Sequence, residues 1–305
     1  MKKFFKKALF NTQFYTIWVF AKLFGLLPTF LHYAFSDFLF YVLRYGLKYR
    51  VAVVRDNLKE AFPTYSDSEL KKIEIDYFRH LADIFVETIL IASISEKKLK
   101  KRMVFTDLEK MESIAKESSV ALVASAHFAS WEYTIIYGAL SGGDVYGVYH
   151  PLTDKVMDLY FKKARSRFKT KPLPMASVGR AMIKAKKSEN YSLFALIADQ
   201  TPPRGIIDNW YMFFNRPTAF YTGIEKLSKG FKAPLLFLDV EKVKRGHYRA
   251  KIEVVYDGNE EMTDHEITKR YIASLEKMIT KSPHLWLWSH RRWKHFPPSE
   301  DRIVY

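Results

Sequence analysis

The 305-residue sequence contains no cysteine, which is its clearest compositional absence. Without cysteine the chain has no disulfide, no thiol nucleophile and no thiolate ligand for a metal. This absence leaves the cellular compartment open. Glycine and proline are also scarce, at 12 residues each, so a collagen-like or low-complexity chain is excluded.

Four common signatures of phosphate and hydrolase chemistry are missing as well. The sequence has no G-x-x-x-x-G-K loop, no G-x-G-x-x-G loop, no G-x-S-x-G elbow and no H-E-x-x-H motif. These absences argue against nucleotide hydrolysis, dinucleotide redox chemistry and zinc proteolysis. We expect neither a cofactor nor a metal.

Positive charge, in contrast, is abundant. Lysine and arginine number 49 against 33 acidic residues, which gives a net charge of +16. Such a balance predicts an anionic partner, such as an anionic membrane surface or an acidic protein. No recognisable nucleic-acid motif accompanies the scattered basic residues, so we expect no nucleic acid. Aromatic residues make up 16% of the chain, which suits a hydrocarbon ligand or a membrane face.

Residues 1–45 are the most apolar part of the sequence. They begin with the basic stretch MKKFFKK, and two uncharged runs follow, at residues 8–21 and 23–36, with Lys22 between them. Neither run reaches the roughly 18 residues of a clean membrane span, and no signal-cleavage site follows. We interpret residues 1–45 as a hydrophobic, membrane-associated helical segment that spans or lies on the bilayer, its basic end on the cytoplasmic side. The alternative is a buried N-terminal helix pair.

Beyond residue 45, buried strands alternate with helices. A first amphipathic helix is predicted over residues 66–92, with Ser66 or Asp67 as its cap. Strands are predicted at 120–126, 144–150, 191–199, 233–242 and 247–255, and helices at 131–140, 154–169, 178–187, 218–229 and 263–280. Residues 46–305 are therefore expected to form one α/β domain, with a central mixed, mainly parallel sheet flanked by helices.

The stretch VALVASAHFASWEY, residues 120–133, runs a buried strand into His127 and places Glu132 five positions later. The same histidine-to-acid spacing recurs at residues 32–37 and 295–300, so the spacing alone is weak. Only His127 ends a buried strand and precedes a helix. Ligands bind beyond the carboxyl ends of strands in such sheets, and Asp199 lies at another strand end.

A contact between His127 and Glu132 would require a loop between them. Residues five apart do not share a face of a continuous helix. The spacing therefore favours His127 in the loop and Glu132 in the first helical turn, with Ser130 as N-cap. The carboxylate would then orient the imidazole, which acts as a general base. The alternative is a strand-end histidine beside a helix-capping glutamate.

Six sequence blocks, in order, resemble those of the bacterial lipid A biosynthesis acyltransferases, the late (secondary) lauroyl/myristoyl transferases. The blocks are NLKEAFP (57–63), HFASWE (127–132), VYHPLTD…RSRF (148–168), ALIADQTPPRG (195–205), FFNRPTAFYTG (213–223) and WLWSHRRWK (286–294). The resemblance extends over nearly the whole chain. It departs from the family at Ala129–Ser130, where Gly-Asn is frequent, and at Asn215, where Gly is frequent.

The resemblance implies a membrane-associated O-acyltransferase at the cytoplasmic face of the cell inner membrane. The donor would be the thioester of an acyl carrier protein or of coenzyme A, and the acceptor a hydroxyl of a lipid A precursor. His127 would be the general base and Glu132 its partner. Asp199, Gln200 and Trp131 would line the same cleft, although Asp199 and Gln200 also suit a turn before two prolines.

Four arginines are further candidates for substrate binding. Arg165 and Arg167 could bind phosphates of the acceptor or donor, or could belong to a solvated helix face. Arg291 and Arg292 lie among tryptophans and could meet phosphates or lipid headgroups. The alternative for this second pair is that it holds the C-terminus against the core.

Two other functions remain open from the sequence. The same chemistry could act on another glycolipid or on an aminolipid, since the Ala129–Ser130 departure lies in the catalytic loop. A non-catalytic, basic membrane-binding or scaffold protein would explain the charge and the apolar N-terminus without using His127. The acyl-chain length, the carrier, the acceptor position and the oligomeric state do not follow from the sequence.

Overall fold

A computed structural model describes residues 2–305 and the side chains of residues 8–305. The basic side chains of residues 1–7, for which a cytoplasmic orientation is expected, lie outside this described part. The helices are α1 (Lys2–Phe24), α2 (Thr29–Tyr41), α3 (Val51–Ala61), α4 (Asp67–Leu90), α5 (Glu96–Arg102), α6 (Leu108–Ser118), α7 (Tyr137–Leu140), α8 (Lys155–Arg165), α9 (Val178–Ala185), α10 (Gly223–Phe231) and α11 (Glu266–Lys281). The strands are β1 (Met103–Phe105), β2 (Val120–Ser125), β3 (Asp144–Tyr149), β4 (Lys171–Pro174), β5 (Ser192–Ile197), β6 (Trp210–Phe213), β7 (Arg216–Ala219), β8 (Leu235–Lys244), β9 (His247–Tyr256) and β10 (Ile303–Val304).

The central sheet has seven strands in the order β1-β9-β8-β2-β5-β3-β4. All neighbouring strands are parallel except β8 and β9, which form an antiparallel pair. Helices α6 and α10 pack on β2, and α11 packs on β8 and β9. A small second sheet has the order β10-β6-β7. The expected mixed, mainly parallel sheet flanked by helices is therefore confirmed.

The pairing of β2 with β5 positions the candidate site. The two strands are parallel neighbours in register from Val120↔Ser192 to Ser125↔Ile197. They therefore end at the same edge of the sheet, and the residues that follow them emerge side by side. His127 comes two positions after β2, and Asp199 two positions after β5.

Most predicted elements are present, with shifted ends. The predicted helix at 66–92 is α4, and Ser66 caps it through a reciprocal capping box with Glu69. The predicted helix at 131–140 is instead a 3₁₀ helix, Trp131–Ile136, followed by the short α7.

The prediction of a helix from residue 218 was wrong at its start. Residues 216–219 form β7, and α10 begins only at Gly223. The reason is the turn before β7, where Phe214 and Asn215 have φ angles of 50° and 55°. Two consecutive positive φ values allow a tight hairpin, which sends the chain back along β6. Asn215 keeps this turn where the resembling family often has glycine, since asparagine tolerates left-handed backbone.

The N-terminal helices α1 and α2 meet at a sharp bend. In the described part of the chain, no single helix is both long and apolar enough to cross a membrane. The segments Ala8–Phe24 and Thr29–Gly46 pass that test only as a pair, bent by 118° at their break.

Both N-terminal helices pack on the rest of the protein along one side. Phe14 and Ala21 of α1 join a small buried cluster with Tyr160 of α8. On α2, the Ser36 hydroxyl donates to Asp83 of α4 at 2.7 Å. The other side of α1 and α2 carries exposed apolar residues. The boundary after residue 45 stays a prediction.

Candidate active site

The loop after β2, residues 126–132, lies beside a cavity of about 1010 Å³. His127, Trp131, Glu132 and Gln200 line its polar part. Its other walls are largely apolar and include residues of β2, β3 and β5 and of α1 and α4. A large apolar cavity with a few converging polar groups is the usual form of a site for a small or lipid-like ligand.

His127 is held by Asp199 at two points. The imidazole Nδ1 lies 2.8 Å from Asp199 Oδ1, and the backbone N–H of His127 donates to Oδ2 at 3.0 Å. The indole N–H of Trp286 donates to the same Oδ2 at 2.8 Å. An ionised carboxylate only accepts, so the Nδ1 of His127 carries the proton in this pair. Nε2 is then left with a free lone pair.

Asp199 is buried, at 2% exposure, yet it stays ionised. Burial alone would raise its pKa, but the neighbouring His127 and the hydrogen bonds from His127 and Trp286 outweigh that effect, and the pKa is lowered. A buried anion of this kind fixes the imidazole tautomer and stabilises the imidazolium that forms when Nε2 takes a proton.

Gln200 and Trp131 complete the surroundings of the imidazole. The side-chain nitrogen of Gln200 lies 3.4 Å from His127 Nε2, a long contact that a substrate hydroxyl can displace. The Trp131 ring meets the imidazole edge-on, with centroids 5.2 Å apart. The structure therefore brings together His127, Asp199, Gln200 and Trp131. The strand-end argument predicted the first two, and the family resemblance implied the other two.

Glu132 lies elsewhere than expected. Its carboxylate forms a bidentate ion pair with Arg165, with distances of 3.0 Å to Nε and 2.6 Å to Nη2. Within the described residues, the carboxylate bonded to the imidazole is that of Asp199, and Glu132 has no hydrogen bond to His127. The expected contact of Glu132 with the imidazole is therefore replaced by its ion pair with Arg165. A role for Glu132 in the reaction stays a prediction.

The path of the loop explains this placement. Ala129 is fully buried and has a φ of 50°, in the left-handed region that favours glycine. The chain turns sharply there, and Trp131–Ile136 then winds as a 3₁₀ helix, without a capping hydrogen bond from Ser130. This geometry carries Glu132 towards the C-terminal end of α8, where Arg165 lies. Burial lowers the pKa of Arg165, but the charge of Glu132 and its hydrogen bonds outweigh that effect, so the pKa is raised.

Arg167 and Arg165 therefore have different environments. Arg167 donates to the backbone carbonyls of Ile91 and Ile94, just beyond the end of α4. Free carbonyls at a helix end attract cations, so the contact with Ile91, the C-cap of α4, satisfies a helix terminus. Neither arginine lies on the solvated helix face of the alternative interpretation.

A C-terminal strap, which we define as residues 286–292, packs against the loop that carries His127. Phe128 and Trp286 form a single antiparallel bridge pair, and the backbone N–H of Leu287 donates to the His127 carbonyl at 3.1 Å. The side-chain nitrogen of Asn57 donates to the carbonyls of Trp288 and His290, at 2.7 and 2.8 Å. The blocks at 57–63 and 286–294 thus meet beside the loop after β2.

Arg291 and Arg292, which are neighbours in this strap, differ in their exposure to solvent. Arg291 is exposed. Arg292 is buried, at 1% exposure, and donates to Thr201 Oγ1 at 3.0 Å and to the Ala219 carbonyl at 2.7 Å. Its guanidinium lies 4.1 Å from the Phe220 ring centroid, and burial lowers its pKa to about 10. These contacts fit the alternative in which Arg292 holds the C-terminus against the core.

Sequence reasoning missed two residues of the site, Trp286 and His290. Both lie in the block WLWSHRRWK, where only Arg291 and Arg292 were expected to bind substrate. A histidine among closely spaced tryptophans was the available signal. In the described part of the chain, no group of three or more histidine and acidic side chains has the arrangement of a metal site.

Comparison with known proteins decides the family. The family model described as bacterial lipid A biosynthesis acyltransferase matches residues 1–295. The chain belongs to this family. It is therefore an acyltransferase, which sets aside the non-catalytic scaffold.

Three curated relatives match over most of their length. The lipid A biosynthesis palmitoleoyltransferase of Escherichia coli K12 is 25% identical over 266 residues, which cover 84% of this chain and 83% of the relative. The lipid A biosynthesis acyltransferase of Haemophilus influenzae is 25% identical, with 84% and 81% covered. The lipid A biosynthesis lauroyltransferase of E. coli K12 is 22% identical, with 82% and 81% covered. Relatives with different acyl chains in their names leave the chain length of this acyltransferase open.

Proposed function

We propose that this acyltransferase moves a fatty acyl chain from a thioester donor, on acyl carrier protein or coenzyme A, to a hydroxyl of a lipid A precursor. His127 is the general base, and Asp199 orients it. The observation that carries this proposal is the pairing of His127 Nδ1 with buried Asp199, which leaves Nε2 beside the cavity. The lipid A acceptor follows from the family and from the names of the relatives.

The reaction balances as a direct transfer. Nε2 of His127 takes the proton of the acceptor hydroxyl while its oxygen attacks the thioester carbonyl, forming a carbon–oxygen bond and an oxyanion. The carbonyl then re-forms, the carbon–sulfur bond breaks, and the thiolate takes the proton from the imidazolium. The chain has no cysteine, and the described site holds no serine on His127, which favours direct attack over a covalent acyl-enzyme.

The apolar walls of the cavity would hold the acyl chain. At about 1010 Å³ the cavity is at the upper end for ligand sites, and it combines strand residues such as Val123, Leu193 and Ala195 with Phe20 of α1. Burial of methylene groups there contributes about 0.8 kcal/mol each. A long acyl chain therefore provides enough binding free energy to anchor the donor.

The exposed faces of α1 and α2 would lie on the membrane. Among residues 8–305, fifteen of the twenty-seven exposed large apolar side chains fall between Leu9 and Tyr49. This concentration exceeds the scattered apolar residues of an ordinary surface and is typical of a membrane or partner interface. The excess of basic residues would add attraction to anionic lipid.

Two assays test the proposal. Purified full-length protein is given acyl carrier protein and coenzyme A thioesters with a panel of lipid A precursors, other glycolipids and aminolipids, and products are identified by mass spectrometry. Acylation of the lipid A precursor supports the proposal, and transfer only to an aminolipid or another glycolipid overturns its acceptor.

In vesicle flotation, Phe30→Ser with Phe38→Ser should reduce binding at least ten-fold, whereas Ile206→Ser with Val243→Ser should not. Equal flotation would remove the membrane face.

A further inference from the structure

His290 lies beside the candidate base, in a strap that is fixed at several points. Its backbone N–H donates to the Leu287 carbonyl at 3.2 Å, and Leu287 is itself bonded to His127. Asn57 holds the His290 carbonyl. Arg50 donates to the carbonyl of the preceding Ser289 at 2.9 Å. The position of His290 relative to His127 is therefore set by the backbone of both loops.

The tautomer of His290 follows from its contacts with Thr201. The backbone N–H of Thr201 donates to His290 Nε2 at 3.1 Å, so Nε2 is an acceptor and carries no proton. The Thr201 hydroxyl is also near Nε2, at 3.3 Å, but it donates to the Arg292 carbonyl at 2.7 Å. In the neutral ring, Nδ1 must then carry the hydrogen.

The ring remains neutral at physiological pH. Burial, and after it the charge of the neighbouring Arg292, lower the pKa of His290 to about 4 against the opposing effect of Asp199. A neutral imidazole can donate one hydrogen bond without adding a charge that would resist protonation of His127.

The Nδ1–H of His290 has no hydrogen-bond partner within residues 8–305. This nitrogen is not one of the fully buried, unpaired polar atoms of the described chain, so it is accessible to solvent. His290 lines the cavity together with His127 and Gln200, and Thr201, its ring partner, follows Gln200 directly. A fixed, neutral donor with a free hydrogen thus lies at the same polar end of the cavity as the base.

We propose that His290 is a second catalytic histidine, whose Nδ1–H donates to the carbonyl oxygen of the acyl thioester and stabilises the oxyanion formed on attack. The inference rests on the proposed function and deepens it. The proton stays on His290 throughout, while the hydroxyl proton travels through His127 to the leaving thiolate. His127 therefore accepts a proton, whereas His290 donates a hydrogen bond. In each ring the other nitrogen is held by a neighbour: Asp199 holds Nδ1 of His127, and Thr201 holds Nε2 of His290.

The two ring nitrogens allow a decisive pair of variants. In His290→Asn the amide nitrogen takes the place of Nδ1, which restores the donor but loses the contact with Thr201. In His290→Gln the amide takes the place of Nε2, which restores the contact with Thr201 but loses the donor. A merely structural histidine depends on Nε2, and an oxyanion donor depends on Nδ1.

The experiment measures kcat with saturating donor for wild type, His290→Asn, His290→Gln and His290→Ala. We expect His290→Gln and His290→Ala to lose about 10²–10³-fold, the usual cost of removing one oxyanion donor. His290→Asn should exceed His290→Gln at least ten-fold. A thioether analogue of the donor, which has a methylene in place of the carbonyl, should bind wild type and His290→Gln within about three-fold, which verifies that the variant is folded.

The outcomes separate the two proposals. If His290→Gln transfers within ten-fold of wild type, or if His290→Asn is no more active than His290→Gln, the inference is overturned while the proposed function stands. If wild type transfers no acyl chain to any lipid hydroxyl, the proposed function fails, and the inference fails with it.

Discussion

His127 and Asp199 are joined twice, by the ring Nδ1 at 2.8 Å and by the backbone N–H at 3.0 Å, although they are 72 residues apart in the sequence. The double contact fixes both the position of the strand-end loop and the tautomer of the imidazole. It exists because β2 and β5 are parallel neighbours that end together.

Replacement of Asp199 by Asn tests this pairing. The amide cannot stabilise an imidazolium, and it can donate to Nδ1, which would move the ring proton to Nε2 and remove the base. We expect kcat to fall by about 10²–10⁴-fold, as measured by initial rates of acyl transfer. Trp286→Phe, which removes one neutral donor from the same carboxylate, should cost much less. Equal losses in the two variants would contradict the assignment.

The ion pair of Glu132 with Arg165 predicts coupled effects. Glu132→Ala leaves a largely buried guanidinium unpaired, so we expect a loss of about 2–4 kcal/mol of unfolding free energy and at least ten-fold in activity. Arg165→Ala should be costly in the same way. The double variant should be more stable than the sum of the single losses predicts, by about 1–3 kcal/mol in denaturant unfolding. Additive losses would mean that the pair contributes nothing.

The left-handed backbone of Ala129 predicts an unusual tolerance for glycine. At most buried alanines, Gly costs about 1–2 kcal/mol in backbone entropy and lost methyl burial. At Ala129 the relief of about 1–2 kcal/mol of left-handed strain offsets that cost. Ala129→Gly should therefore be close to neutral, and Ala124→Gly, at a buried position in β2, should lose at least 1 kcal/mol more. Equal unfolding free energies for the two variants would contradict the strained loop.

Glu87 predicts a pH dependence of stability. It is fully buried in α4, and this burial raises the pKa of its carboxyl to about 7. The charge of Asp83 also raises the pKa. The hydrogen bonds from Ser130 and Tyr248 and the charge of Lys242 lower it, but by less. A carboxyl whose folded pKa is raised contributes stability below its unfolded pKa, and that contribution is lost as pH rises through 7.

Glu87→Gln removes this titration. Relative to the variant, wild type should lose on the order of 2–3 kcal/mol of unfolding free energy between pH 5 and pH 8. Glu109→Gln, at an exposed position, serves as the control and should show no such divergence. Parallel stability curves for wild type and Glu87→Gln would refute the raised pKa.

The sequence predicted the sheet and placed His127 and Asp199 at strand ends, where ligands bind in such sheets. That the two strands are neighbours came only from the structure. The sequence also could not predict which carboxylate contacts the imidazole. That choice depends on the left-handed Ala129 and on a 3₁₀ helix in place of an α-helix. The tautomer of His290 likewise depends on Thr201, which is 89 residues away.

The central claim is that His127 is the base of acyl transfer. Its most direct test is single-turnover transfer from a labelled acyl thioester to a lipid A precursor, by wild type and by His127→Ala with verified folding and donor binding. We expect a rate constant about 10²–10⁴-fold lower for the variant, the usual contribution of general base catalysis. Transfer by His127→Ala at a rate close to that of wild type would contradict this claim.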